Sequence, residues 1–137
     1  MKRFLALFLV LLFVVGCGSG QVPLGGTVTF EDGTPLTVGS VCFASATVSV
    51  RGDIDSQGKY TVGTLTDKDG LPPGTYKVYI SGATEETPPQ GGGLVGSTRL
   101  LIDSRYANEA STPLTLEVPA PNNRFDIAVP RNPALKP

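Results

Sequence analysis

The chain has 137 residues, with 11 Lys and Arg against 12 Asp and Glu, two Cys, and neither His nor Trp. The balanced charge excludes the basic surplus that a nucleic-acid surface needs. The missing imidazole leaves any acid–base work at neutral pH to carboxylates, Lys or Tyr.

The N-terminus starts with Met1, Lys2 and Arg3, followed by an unbroken apolar run from Phe4 to Val15. That run is shorter than the ~20 residues of a membrane-spanning helix. It matches the ~7–15 residues of a signal-peptide core. Val14-Val15-Gly16-Cys17 resembles the lipobox of bacterial lipoproteins. The resemblance implies diacylglycerol on the Cys17 sulfur, cleavage after Gly16, and residues 1–16 as a removed signal peptide. The resemblance also implies acylation of the new amino terminus, and about two acyl chains or more make such an anchor stable. Residues 17–21 read as lipid anchor and flexible tether. Gly18 is not the acidic residue that commonly retains lipoproteins in an inner membrane. The resemblance therefore favours the outer membrane of the cell envelope.

What remains is long enough for one domain with its own core. If Cys17 is acylated, Cys42 is the one thiol left and no internal disulfide forms. Cys42 lies inside the apolar strand pattern of GSVCFAS, which predicts a buried, inert thiol.

From residue 26 onwards the chain has period two. GTVTF places Val28 and Phe30 on one face, and GSVCFAS does the same with Val41 and Phe43. TVSVRGDI aligns Val48, Val50 and Ile54, and GKYTVG aligns Tyr60 and Val62. TYKVYIS aligns Tyr76, Val78 and Ile80, with Thr75, Lys77, Tyr79 and Ser81 opposite. LTLEV aligns Leu114, Leu116 and Val118, and RFDIAV aligns Phe125, Ile127 and Val129. Such alternation predicts half-buried strands. EDGTP, DSQGK and DKDGLPPG supply turn residues between them. The pattern predicts an all-β, seven-strand antiparallel sandwich.

Residues 82–98, GATEETPPQGGGLVGST, break this rhythm. They predict a mobile surface loop, with Leu94 and Val95 as candidate partner-binding residues. In RLLIDSRYANEAS a short turn or helical element is expected, with Leu101, Ile102 and Tyr106 capping an open end of the sandwich. The tail, residues 130–137, has three prolines and is expected to be extended and frayed.

Four motifs carry a family resemblance: Gly26-Thr27-Val28-Thr29-Phe30, Asp32-Gly33-Thr34-Pro35-Leu36, Asp55-Ser56-Gln57-Gly58-Lys59-Tyr60, and Pro72-Pro73-Gly74-Thr75-Tyr76-Lys77-Val78. Residues 22–129 thereby resemble the carboxypeptidase regulatory-like domain, a transthyretin-like (prealbumin-like) sandwich. These are strand and turn motifs, which specify a fold and hardly a function. The histidines and C-terminal tetrapeptide of the hydrolase branch of transthyretin-like proteins are missing from this chain. No catalytic residue and no cofactor are therefore assigned.

Asp53-Ile54-Asp55 and Asp67-Lys68-Asp69-Gly70 look like pieces of calcium loops. Each lacks the further oxygen ligands and the closing Glu. Asp at a turn is explained by local backbone hydrogen bonds, so no metal site is assigned. Arg51-Gly52-Asp53 spells the adhesion tripeptide, yet it falls in a strand pattern rather than at a loop tip. Tyr79 is a single outward aromatic and makes no binding platform alone.

The reading that follows is a membrane-anchored extracytoplasmic lipoprotein, held by lipid on Cys17. It displays a non-catalytic binding or scaffold module to an envelope protein or glycan. A carbohydrate- or peptide-binding accessory subunit of a secreted enzyme system is the alternative. Neither reading involves nucleic acid.

Overall fold

The computed structural model describes residues 22–63 and 70–135. The expected signal peptide (residues 1–16), Cys17, the expected tether, Asp67 and Asp69 lie outside the described residues. Those described form an all-β structure of nine strands with three short 3-10 turns.

A three-stranded sheet has the order β4-β1-β9, built from β1 (Gly25–Phe30), β4 (Lys59–Thr61) and β9 (Ile127–Val129). A four-stranded sheet has the order β3-β2-β5-β8, built from β2 (Ser40–Ala44), β3 (Ser49–Asp53), β5 (Gly74–Ser81) and β8 (Thr115–Val118). The two sheets share one core, in which Val28, Val41, Phe43, Val62, Val78, Ile80 and Val129 are all fully buried. The arrangement is β-sandwich-like, with two apolar faces burying each other.

Alternation accounts for what is buried. On β5, Tyr76, Val78 and Ile80 point inward, while Thr75, Lys77 and Ser81 are exposed and Tyr79 is half-buried. The rings of Tyr60 and Tyr76 sit in the core, and each hydroxyl donates to a backbone carbonyl, of Phe125 and Pro72 respectively. A buried phenol without such an acceptor would carry a desolvation penalty. The Asp55 carboxylate accepts from the backbone N–H groups of Gln57 and Lys59 at 2.8 and 2.9 Å, and Gly58 turns with φ +80°. Asp55 is thus committed to closing its turn.

Three expectations need correction. The sheets are not wholly antiparallel: β9 runs parallel to β1, with Val28 opposite Ile127 and Phe30 opposite Val129. The preceding β8 belongs to the other sheet, so the chain crosses between sheets before β9 and is free to return in either direction. Residues 82–98 are not a structureless loop. They contain β6 (Thr84–Thr87) and the first half of β7 (Ser97–Leu100), an antiparallel hairpin forming its own two-stranded sheet.

The tail is not frayed over its described part. Pro130 O accepts from Asp103 N at 3.0 Å, and Asn132 N donates to Leu101 O at 2.9 Å. The Asn132 side chain donates to Leu100 O at 2.7 Å. Arg131 lies 3.9 Å above the Phe30 ring and pairs with Asp32 at 2.9 Å. These polar contacts hold the backbone where an apolar pattern gave no reason to expect order.

Candidate functional site: the projecting hairpin

The β6–β7 hairpin grows from a fixed root. Ala83 and Ile102 are fully buried, and Leu101 N donates to Ala83 O at 2.9 Å. Leu100, Leu101 and Tyr106 pack against the core, which places the expected capping residues at this end of the sandwich. Asn132 holds the root from the tail side through its two bonds to Leu100 and Leu101.

Beyond the root the ribbon meets little of the body. All strand residues from Thr84 to Thr87 and from Ser97 to Leu100 are exposed or half-buried. Their ladder pairs Glu85 with Arg99, and the side chains of this pair meet at 2.6 Å with both about half exposed. Exposed pairs add ~0.2–1 kcal/mol, enough to favour this register. Pro88 and Pro89 end β6 because they cannot donate to a ladder. Gly91 and Gly92 take positive φ to turn the chain. Next comes Leu94 at 98% exposure and Val95 at 84%. The partner-binding candidates thus stand at the tip of a rooted ribbon.

The chain enters the described part at the other end of the domain. Val22 and Leu71 exchange two backbone hydrogen bonds, at 2.8 and 3.0 Å, just before β5 starts. The hairpin begins just after β5 ends. Eight residues at ~3.3 Å each separate the two ends by roughly 25 Å.

The β8 edge is blunted at both ends against strand addition. Val78 N donates to Leu114 O, so by alternation the backbones of Leu114, Leu116 and Val118 face β5. Positions 113, 115, 117 and 119 face outward, and Pro113 and Pro119 carry no N–H. Proline at such positions blunts an edge.

The other candidates are explained by local structure. Arg51-Gly52-Asp53 lies in β3 with Gly52 buried, and a Cβ there would come within 2.4 Å of Thr61 O. Asp53 accepts the Ser40 hydroxyl at 2.6 Å. Asp53 and Asp55 line a cleft of about 480 Å³ with Arg51, Lys59 and Tyr60. Cys42 is 7% exposed, but it lies on the outer side of its sheet, opposite Arg51 and Tyr79 in register. Burial pushes its thiol pKa up, which suppresses the reactive thiolate. Burial, and next the Asp126 charge, push the Tyr60 phenol up as well.

Sequence reasoning singled out Leu94 and Val95 as candidates but missed the ribbon that carries them. Thr84-Glu85-Glu86-Thr87 and Ser97-Thr98-Arg99-Leu100 have no apolar alternation, because neither face of the ribbon is buried. The available signal was charge complementarity, with Glu85 and Arg99 either side of a Pro- and Gly-rich turn.

No protein-family model matches the chain, and no curated protein matches it. Among solved structures it is similar to a DUF3823 family protein from Bacteroides ovatus, at 18% identity and a TM-score of 0.44 over 80% of this chain and 44% of that one. It is also similar to BcpA, the major pilin subunit of Bacillus cereus, at 14% identity and a TM-score of 0.43 over 82% of this chain and 30% of that one. The chain therefore spans less than half the length of either.

Proposed function

We propose that this chain is a lipid-anchored extracytoplasmic lipoprotein whose transthyretin-like, carboxypeptidase regulatory-like sandwich is a non-catalytic display module. The β6–β7 hairpin is its recognition element. One observation carries this reading: two nearly fully exposed apolar residues sit at the tip of a ribbon whose root is fully buried. Loops held by rigid scaffolds carry most recognition. The geometry also suits an anchor at Cys17. The described chain begins at Val22, at the end opposite the hairpin root, so an anchored domain would present the hairpin end away from its membrane. The occupant of the tip is a protein surface rather than a bilayer. The segment 88–96 carries no charge and no aromatic residue, whereas interfacial membrane contacts favour Trp, Tyr, Lys and Arg.

The anchor is tested with Cys17→Ser. The wild-type protein is expected to carry lipid mass and to partition into detergent, and the variant to remain aqueous. An unlipidated wild-type mass, with unchanged partitioning of Cys17→Ser, would overturn the anchoring.

A further inference from the structure

We infer that the outer edge of β7 is a strand-addition site, which takes an extended segment of another protein as a further strand of the hairpin sheet. This names the binding mode and the partner class of the recognition element proposed above. It rests on that reading of the hairpin, but not on the lipid.

Two contacts fix which way each backbone group points. Leu101 N donates to Ala83 O, on the β6 side. Backbone groups alternate along a strand, so Arg99 and Ser97 also face β6, while Leu100 and Thr98 face away. Leu100 O agrees, since it accepts from the Asn132 side chain on the outer side. The outer edge therefore presents the N–H of Leu100 and both the N–H and the C=O of Thr98. No described strand or loop pairs with them, and Thr98 is exposed.

The other described edges are guarded. On β6, Thr84 and Glu86 face away by the same alternation, but Thr84 N is taken by Gly82 O and the next outward position is Pro88. On β8 the outward positions include Pro113 and Pro119. On β9, Val129 O accepts from Glu31 N on the β1 side, so Pro130 faces outward, and its carbonyl is held by Asp103 N. β3 is bridged at Arg51 to Gly63, just past β4. Proteins normally blunt their edges in such ways. β7 has no proline, and its one charge, Arg99, is turned to Glu85.

The chain itself already pairs with the continuation of this edge. Just past β7, Ile102 bridges antiparallel to Arg131, with Asp103 N bonded to Pro130 O and Leu101 O to Asn132 N. The tail then leaves at Pro133 into a 3-10 turn. An incoming segment continues that ladder along Thr98 towards the tip. An extended polypeptide matches donors and acceptors at this spacing. One of its residues exchanges two hydrogen bonds with Thr98, and another accepts from Leu100 N. Its far end covers Leu94 and Val95, which are nearly fully exposed in the free chain. The β7 of a second copy fits less well. Paired about Thr98, its Gly96 N–H would meet Leu100 O, which Asn132 holds, and the two Arg99 side chains would lie diagonally across the new pair.

The test pans a phage library of random dodecapeptides on the full-length chain in detergent, and reads the binding place by amide exchange. In the free chain the Thr98 and Leu100 amides should exchange about tenfold or more faster than those of Ser97 and Arg99. Selected peptides should slow both outward amides about tenfold or more, and should lose about tenfold or more in affinity with Thr98→Pro. That substitution removes an outward N–H and spares the β6 ladder. Thr98→Val keeps the N–H and should bind as wild type does. Outward amides already slow in the free chain, or peptides that bind without slowing them, overturn the strand addition even where Thr98→Pro does not fold. If such peptides still lose affinity with Leu94→Asp, the hairpin reading stands. Peptides indifferent to both substitutions, or a panning that enriches none, overturn both. A full-length chain that sediments as a dimer and is split by Thr98→Pro puts a second copy on the edge and overturns the assignment to another protein.

Discussion

Replacing Gly26 with Ala tests how closely β1 and the segment leading into β9 approach each other. A Cβ on Gly26 would lie 2.1 Å from the Phe125 carbonyl oxygen and 2.7 Å from its carbon. Both are backbone atoms, so no side chain can swing aside, and the strands must part by more than about 1 Å to reach ordinary contact. The same place is tied by Phe125 N to Gly25 O at 2.9 Å, by Thr27 N to the Asp126 carboxylate at 2.9 Å, and by the Tyr60 hydroxyl to Phe125 O. Overpacking costs about 1–3 kcal/mol, and each hydrogen bond lost about 0.5–1.5. With two bonds broken the total is about 2–6 kcal/mol, against a whole-domain stability of about 5–15. For a domain this size the melting temperature should fall by about 10–20 °C. Gly33→Ala is the control. It has φ +89° and nothing within 4 Å of a Cβ, so it carries only the left-handed backbone cost of about 1–2 kcal/mol. Both substitutions change the unfolded chain alike, so their difference reports the steric clash. The assay is thermal unfolding followed by far-UV circular dichroism. A Gly26→Ala protein that melts within about 2 °C of wild type, or above Gly33→Ala, would refute the close-approach reasoning.

Val78→Asp puts a carboxylate at a fully buried position on a central strand and should cost several kcal/mol. Lys77→Asp, exposed on the other face, should melt within a few degrees of wild type, and matching melting temperatures for the pair would reverse the facing of β5. The Asp32 carboxyl is held down to about 2, first by the Thr34 backbone and hydroxyl hydrogen bonds and then by Arg131. A depressed folded-state value means that its stabilisation is complete above the ordinary value near ~3.9 and is lost as pH falls through about 2. Carboxyl NMR should therefore show Asp32 titrating near 2 in the wild type and only partway back towards ~3.9 in Arg131→Ala. A complete return in Arg131→Ala would place the main cause in the ion pair rather than in the Thr34 turn.

The strand faces were legible in the sequence because alternation is local. Whether Val78 or Lys77 faces the core depends on one residue of spacing, and the buried sets on β1, β5 and β9 follow it. Turn chemistry was legible for the same reason: Asp55 and Gly58 act within five residues of each other. Leu94 and Val95 stood out as apolar residues in a polar stretch. What period two does not carry is which strand meets which, and in what direction. The parallel pairing of β9 with β1 joins residues about a hundred positions apart, and only the crossing between sheets decides it. The hairpin escaped notice because neither of its faces is buried, so no apolar pattern marks it. Its ladder is held by backbone bonds and the Glu85–Arg99 pair. The tail escaped notice because its order comes from Asn132 and Arg131 finding Leu100, Asp32 and Phe30 across space. Burial leaves its mark on the spacing of neighbouring residues, whereas polar contacts between distant segments leave none until the chain has folded.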